Sequence, residues 1–238
     1  MKPTIVLVHG AFAESASWGM VIDSLAGTGY RVIAAANPLR GLAADATAVT
    51  DFVRTIDGPV VLVGHSYGGM VISNVPADAG EITGLVYVSA FAPEAGETCF
   101  TLAGKFPGST LGQAVRPVPL SDGTTDLYID TEKFHDQFCA DLSDLEAARM
   151  AATQRPVTQE ALTEPSGRPL WREVPSWFVI GEEDRNIPAE LQRFMAERAE
   201  ARRVVQIPRA SHAVAVSRPG ETAQVIRTAA ANPNLVRP

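Results

Sequence analysis

Cysteine is nearly missing: Cys99 and Cys139 are the only two in 238 residues. Two thiols build no disulfide framework, and with four scattered histidines they lack the spacing of a metal-ligand cluster. Positive charge is scarce too. Lys and Arg total 20 against 27 Asp and Glu, a net charge of −7. That balance offers phosphate no concentrated counter-charge, which argues against general nucleic-acid binding. The tight basic pair Arg202-Arg203 reads as the solvated end of a strand. No apolar run approaches the 18 or more residues of a membrane span. Thr4–Val8, behind Met1-Lys2-Pro3, is too short for a signal-peptide core. The expectation is a cytoplasmic protein with no membrane or nucleic-acid partner.

Hydrophobic residues make up 46% and charged residues 20%, the usage of an ordinary globular chain. The length suits one α/β domain with an insertion. Short apolar runs at Thr4–Val8, Arg31–Ala35, Pro59–Val63, Leu85–Ser89, Trp177–Ile180 and Val204–Ile207 are rich in Val and Ile at consecutive positions. Strands buried on both faces read this way. Helical patterns lie between them at Trp18–Ala26, Leu42–Ile56, Gly68–Val75, Pro188–Ala199 and Pro219–Ala230. Such alternation predicts a doubly wound, mostly parallel sheet with ligands at the carboxyl ends of its strands. Residues 93–173 break the rhythm. They hold no clear core strand but carry a helical segment near Glu132–Ala152, and a crossover needs only a dozen residues. We therefore expect a core at 1–92 and 174–238, with 93–173 as a helical cap insertion over the functional edge.

Gly64-His65-Ser66-Tyr67-Gly68 matches the G-x-S-x-G turn on which a nucleophilic serine is held. The pentapeptide alone is a weak signal. Its context is specific, because Pro59–Val63 reads as a buried strand before it and Gly69-Met70-Val71-Ile72 as a helix after it. A strand-to-helix turn this sharp strains the serine backbone and leaves no room for side chains at the flanking glycines. Ser66 is the candidate nucleophile.

A serine hydroxyl needs a base to take its proton, and histidine suits that near neutral pH. His9 reads as a residue shaping the loop after the first strand. His65 is expected to point away from Ser66 across the turn, and His135 to be solvated or packed. His212 follows the strand Val204–Ile207, in Pro208-Arg209-Ala210-Ser211-His212, which brings it to the same sheet edge as Ser66. A carboxylate must hold the base's tautomer. Gly181-Glu182-Glu183-Asp184 follows another strand to that edge; Asp184 is preferred, with Glu183 a local and Glu94 a remote rival. The order Ser66, Asp184, His212 is that of the α/β-hydrolases. Oxyanion donors are expected from the backbone N–H groups of Tyr67 and Ala11, with Phe12 next to Ala11 as the alternative.

Together, Thr4–Phe12 with Trp18, Gly64–Met70, Gly181–Pro188 and Ser211-His212 resemble the α/β-hydrolase superfamily. The closest likeness is to its small branch containing plant methylesterases and hydroxynitrile lyases. The likeness covers about residues 4–100 and 174–230; no motif in the insertion matches. It implies a cofactor-free serine hydrolase with Ser66 as nucleophile, His212 as base, Asp184 as acid, and Ala11 and Tyr67 as oxyanion donors. The hydroxynitrile lyases of this branch carry a lysine where Ala213 stands and a threonine where Gly10 stands, so cleavage of a small-molecule ester is the expected chemistry. The same constellation on this fold also serves lyases, amidases, C–C hydrolases and receptors. Of the aromatic residues in and around the insertion, Phe91 and Trp171 are candidates for the substrate pocket, together with Phe12. No metal or phosphate-loop motif is present.

Overall fold

The computed structural model describes residues 1–231; the expected core at 232–238 lies outside them. The chain opens with β1 (Thr4–Val8), a 3-10 turn at Ser15–Trp18, α1 (Gly19–Leu25), β2 (Arg31–Ala35) and α2 (Leu42–Val53). It continues through β3 (Pro59–His65), α3 (Gly68–Ser73) and β4 (Glu81–Val88). The stretch before the next core strand carries α4 (Cys99–Ala103), β5 (Val115–Pro119), β6 (Thr125–Ile129), α5 (Phe134–Phe138), α6 (Asp144–Thr153), β7 (Val157–Thr158) and α7 (Gln159–Thr163). Alternation resumes with β8 (Ser176–Gly181), α8 (Ala189–Arg198), β9 (Arg203–Ile207), α9 (Val214–Ser217) and α10 (Pro219–Ala231).

Six strands form one sheet in the order β2-β1-β3-β4-β8-β9, every neighbouring pair parallel. Side chains alternate between its faces. Ile5, Leu7, Val61, Val63, Val86 and Val88 meet Val21, Leu25, Val225 and Ile226 of α1 and α10. Val6, Val8, Val60, Leu62, Leu85 and Tyr87 meet Val49, Met70 and Leu191 of α2, α3 and α8. Each such side chain removed from water contributes roughly 1.5–3 kcal/mol, which is why both parities of every central strand are apolar. The order reverses around β1 and β3, and parallel α/β sheets leave a crevice beyond their carboxyl ends at such a switch. The fold is the doubly wound α/β-hydrolase fold.

Two expectations need correction. β4 starts at Glu81 rather than Leu85, with an irregularity in pairing between Val60 and Val61 that absorbs the polar beginning. It ends at Val88, because Ser89 takes a left-handed φ of 42°. The insertion is also more than helical: β5, β6 and β7 form an antiparallel three-stranded sheet. Pro117 and Pro119 hide β5 from a strand pattern, yet proline is tolerated on an edge strand, and β7 is two residues long. The helical segment expected at Glu132–Ala152 is two helices. Ser143 starts the second, its side chain accepting from the Glu146 N–H in a capping box. The two ends of the insertion lie side by side: Gly96 N–H donates to the Ser166 carbonyl at 2.8 Å and Ser166 N–H to that of Glu97 at 2.8 Å. No helix among the described residues is long and apolar enough to cross a membrane.

Candidate active site

β3 delivers Ser66 directly. Its φ of 55° is the left-handed conformation that a non-glycine residue adopts only under constraint. Surrounding backbone supplies that constraint: Ser66 N–H donates to the Ser89 carbonyl at 3.2 Å, while the Ser66 carbonyl accepts from Gly69 N–H at 3.0 Å and Phe91 N–H at 3.2 Å. Two glycines permit the close approach. A Cβ on Gly68 would lie 2.4 Å from the Val8 carbonyl oxygen, and one on Gly10 would lie 2.5 Å from the Ser66 Cβ. The loop after β1 is thereby pressed onto the turn after β3.

The loops after β8 and β9 bring an acid to a base. His212 Nδ1–H donates to Asp184 Oδ2 at 2.8 Å, and both side chains are fully buried. The other carboxylate oxygen, Oδ1, accepts the backbone N–H groups of Asn186 at 2.8 Å and Ile187 at 2.9 Å. Gln192 Nε2 adds a donor to Oδ2 at 2.9 Å. Four donors fix the carboxylate, which fixes the imidazole tautomer. His212 Nε2 is left buried with no hydrogen-bond partner among the described residues. Of the rivals, Glu183 is exposed, and Glu94 is ion-paired with Arg172 near the surface.

The remaining histidines take other parts. His9 Nδ1–H donates to the Gly10 carbonyl at 2.9 Å while Nε2 accepts the Asn37 N–H at 3.0 Å, so it shapes its loop. Burial lowers its pKa to about 4. His135 bonds the Leu142 carbonyl at 2.9 Å. His65 lies against the candidate base: the rings are 4.8 Å apart, and His65 Nε2–H donates to the His212 carbonyl at 3.0 Å. Burial, then the neighbouring His212, lower the His65 pKa to about 3. It is a neutral prop beside the base. Phe138 of α5 closes the other side, edge-on at 4.9 Å. Both thiols are free and buried, and burial raises the pKa of each.

Of the two candidates in the first loop, Phe12 has its N–H bonded to the Arg155 carbonyl at 3.0 Å. Tyr67 directs its phenol into the core, where it donates to Asp45 Oδ2 at 2.8 Å. Phe12 also lines a groove of about 310 Å3 with Ala13, Met20, Met150, Gln154 and Val216. A small cavity beside it shares Ala13, Met150 and Val216 and reaches His65, Phe138 and Ala213. Phe91 lies buried in the core, its backbone N–H on the Ser66 carbonyl. Trp171 is buried in the same apolar core as Phe12 and Phe91. Its indole N–H donates to the Pro93 carbonyl at 2.7 Å, with the guanidinium groups of Arg172 and Arg198 over its ring.

Gln192, His65 and Asp45 escape a reading of the sequence. The first and last lie on helices, where one polar residue looks like part of a solvated face. Their only signal is a polar residue among buried neighbours, Leu191 and Met195 for Gln192, Leu42 and Val49 for Asp45.

The alpha/beta hydrolase family model matches residues 5–225, and the chain belongs to that family. Its curated relatives include alpha/beta hydrolase nvfD of Aspergillus novofumigatus (strain IBT 16806), 27% identical over 251 residues and covering 97% of both chains. Pyrethroid hydrolase of Sphingobium wenxiniae is 28% identical, covering 93% of this chain and 85% of its own. Methylesterase 9 of Arabidopsis thaliana is 26% identical, covering 91% and 93%. The alpha-hydroxynitrile lyase of Arabidopsis thaliana stands at the same level, 26% identical over 92% and 93%. Among solved structures, polyneuridine aldehyde esterase superposes with a TM-score of 0.80 at 20% identity, covering 96% of this chain and 99% of that one. This chain is thus an alpha/beta hydrolase similar to the plant methylesterases and hydroxynitrile lyases.

Proposed function

We propose that this hydrolase is a serine esterase acting on small, uncharged carboxylic esters. The observation carrying the proposal is the pairing of His212 with Asp184 through Nδ1, which leaves Nε2 buried and unbonded in an imidazole packed on His65, the residue before Ser66. Ser66 Oγ attacks the ester carbonyl carbon as His212 Nε2 takes its proton. The N–H groups of Ala11 and Tyr67 hold the oxyanion, and because the Phe12 N–H is already bonded, Ala11 is preferred in the first loop. The bond to the alcohol oxygen then breaks, and His212 returns the proton to the departing alkoxide. Water repeats the sequence on the acyl-enzyme: His212 removes a water proton, hydroxide attacks, and the acid leaves as Ser66 regains its proton.

Relatives named as esterases and pyrethroid hydrolases support ester chemistry. Ala213 and Gly10, standing where the lyases of the branch carry lysine and threonine, speak against cyanohydrin cleavage. We assign the groove at Phe12, Met20 and Met150 to the apolar arm of the ester, since its adjoining cavity reaches the residues flanking Ser66 and His212. Phe91 belongs to the wall behind Ser66, whereas the setting of Trp171 favours a packing role over substrate contact. A chain-length panel of p-nitrophenyl esters, run on wild type and Ser66→Ala together, tests the reading. Turnover should fall by at least about 10³-fold in the variant; near-wild-type turnover would overturn it.

A further inference from the structure

A carboxylate buried in a core is costly unless its oxygens are bonded, so a wholly buried Asp45 on the first turn of α2 calls for a reason. Its Oδ1 accepts the Arg40 backbone N–H at 3.0 Å. Its Oδ2 accepts the Tyr67 phenol at 2.8 Å. The Tyr67 side chain is itself buried at 1% exposure, and the residue is the N-cap of α3, immediately after Ser66. Its ring is therefore held at both ends, at Cα by the turn and at the hydroxyl by Asp45.

The far side of this pair is also anchored. Arg40 reaches Asp126 of β6 at 2.6 Å and the Pro156 carbonyl at 3.1 Å. Thr158 N–H donates to the Leu39 carbonyl at 3.0 Å, and the adjoining Arg155 carbonyl holds the Phe12 N–H at 3.0 Å. One short stretch of the insertion, residues 155–158, thus braces the loop behind Asp45 and the loop that carries Ala11.

We infer that Asp45 is a positioning residue for ester hydrolysis, fixing through the Tyr67 phenol the backbone N–H that receives the oxyanion. The inference rests on the esterase reading above. An oxyanion donor acts only when aimed in advance at the place where charge develops, and a ring clamped at its hydroxyl resists rotation about the Ser66–Tyr67 peptide. A purely structural role would predict lost stability with unchanged chemistry in the molecules that fold.

Tyr67→Phe removes one oxygen and keeps both ring and N–H; Asp45→Asn keeps the shape and removes the charge. Both variants and their combination are titrated with a fluorophosphonate to count competent Ser66 sites. Then kcat and KM for p-nitrophenyl acetate are measured per titrated site, with the affinity for a trifluoromethyl ketone whose adduct bears the oxyanion. We expect kcat to fall roughly tenfold with KM within about twofold, and ketone affinity to weaken in step. The double variant should fall no further than the worse single, as one coupled unit does. Unchanged kcat per site in Tyr67→Phe, or a loss confined to KM, overturns the inference. Should Asp45→Asn fail to fold, Tyr67→Phe decides alone. Wild-type turnover in Ser66→Ala would instead sink the esterase reading and this inference together, whereas the other outcomes strike only at Asp45.

Discussion

Asp184 gives the candidate base its direction, and its effect is separable from charge alone. Four donors converge on its two oxygens, among them His212 Nδ1–H at 2.8 Å. Asp184→Asn keeps the shape but presents an amide that either donates toward Nδ1 or accepts more weakly. The imidazole then favours the tautomer with its proton on Nε2, which cannot accept from Ser66. We expect kcat for p-nitrophenyl acetate to drop by about 10²–10⁴ with little change in KM; a drop under about threefold would remove Asp184 from the mechanism. Gly10 is the steric counterpart. A Cβ there would meet the Ser66 Cβ at 2.5 Å, so Gly10→Ala should cost about 1–3 kcal/mol in urea unfolding and lower kcat at the same time. Wild-type stability and turnover in that variant would mean the two loops are free to separate. The placement of Ser66, Asp184 and His212 after β3, β8 and β9 is legible in the sequence because each follows an apolar run that ends at one edge of a parallel sheet. His65, Gln192 and Asp45 are not, since their roles arise from what lies across the molecule: His65 meets a carbonyl 147 residues away.

Strands were easier to read than the insertion, for a physical reason. A strand buried on both faces must be apolar at every position, as Val60 to Val63 are, and such a run stands out. β5 is mostly exposed and carries two prolines, while β7 is two residues long, so neither leaves a run to recognise. The turn between β5 and β6 did leave a mark, in Asp122-Gly123, where Gly123 has a φ of 88° and suits a hairpin loop. α6 presents Met150 to the groove, facing Met20 and Phe12. If that groove holds the apolar arm of the ester, Met150→Trp should shorten it. We expect KM for p-nitrophenyl octanoate to rise roughly tenfold, the equivalent of nearly two buried methylenes at about 0.8 kcal/mol each, with little change for the acetate. Equal effects on both esters, or none on either, would place the arm elsewhere.

At the scale of the whole molecule, two buried histidines tie stability to pH. Burial holds His9 near a pKa of about 4 and His65 near about 3, against an ordinary 6.5. Well above pH 6.5, from about 7.5, both are neutral whether the chain is folded or not, and neither contributes any dependence. Between about pH 6 and 5 the unfolded chain binds nearly two protons that the folded chain refuses, and closer to pH 4 the folded His9 begins to take up its own. Stability therefore rises with pH across that window and is lost as pH falls, each histidine contributing at most about 1.4 kcal/mol per pH unit. This sign is opposite to that of a histidine stabilised by an acidic partner. Urea unfolding at pH 8, 7, 6, 5 and 4.5 should show stability nearly level between pH 8 and 7 and declining below it. His9→Asn should flatten the decline even where it lowers stability at pH 7, because it removes one of the two excluded protons. A curve flat to pH 5, or a slope unaltered in that variant, would mean that the buried histidines are protonated in the folded chain. The same exclusion bears on the candidate site: His65 lies 4.8 Å from His212, and a charge there would oppose the imidazolium required of His212 by the proposed ester cleavage. Keeping His65 neutral removes that opposition, so His65's share of the decline in stability and the neutrality of the candidate site have one cause, burial at the carboxyl end of β3.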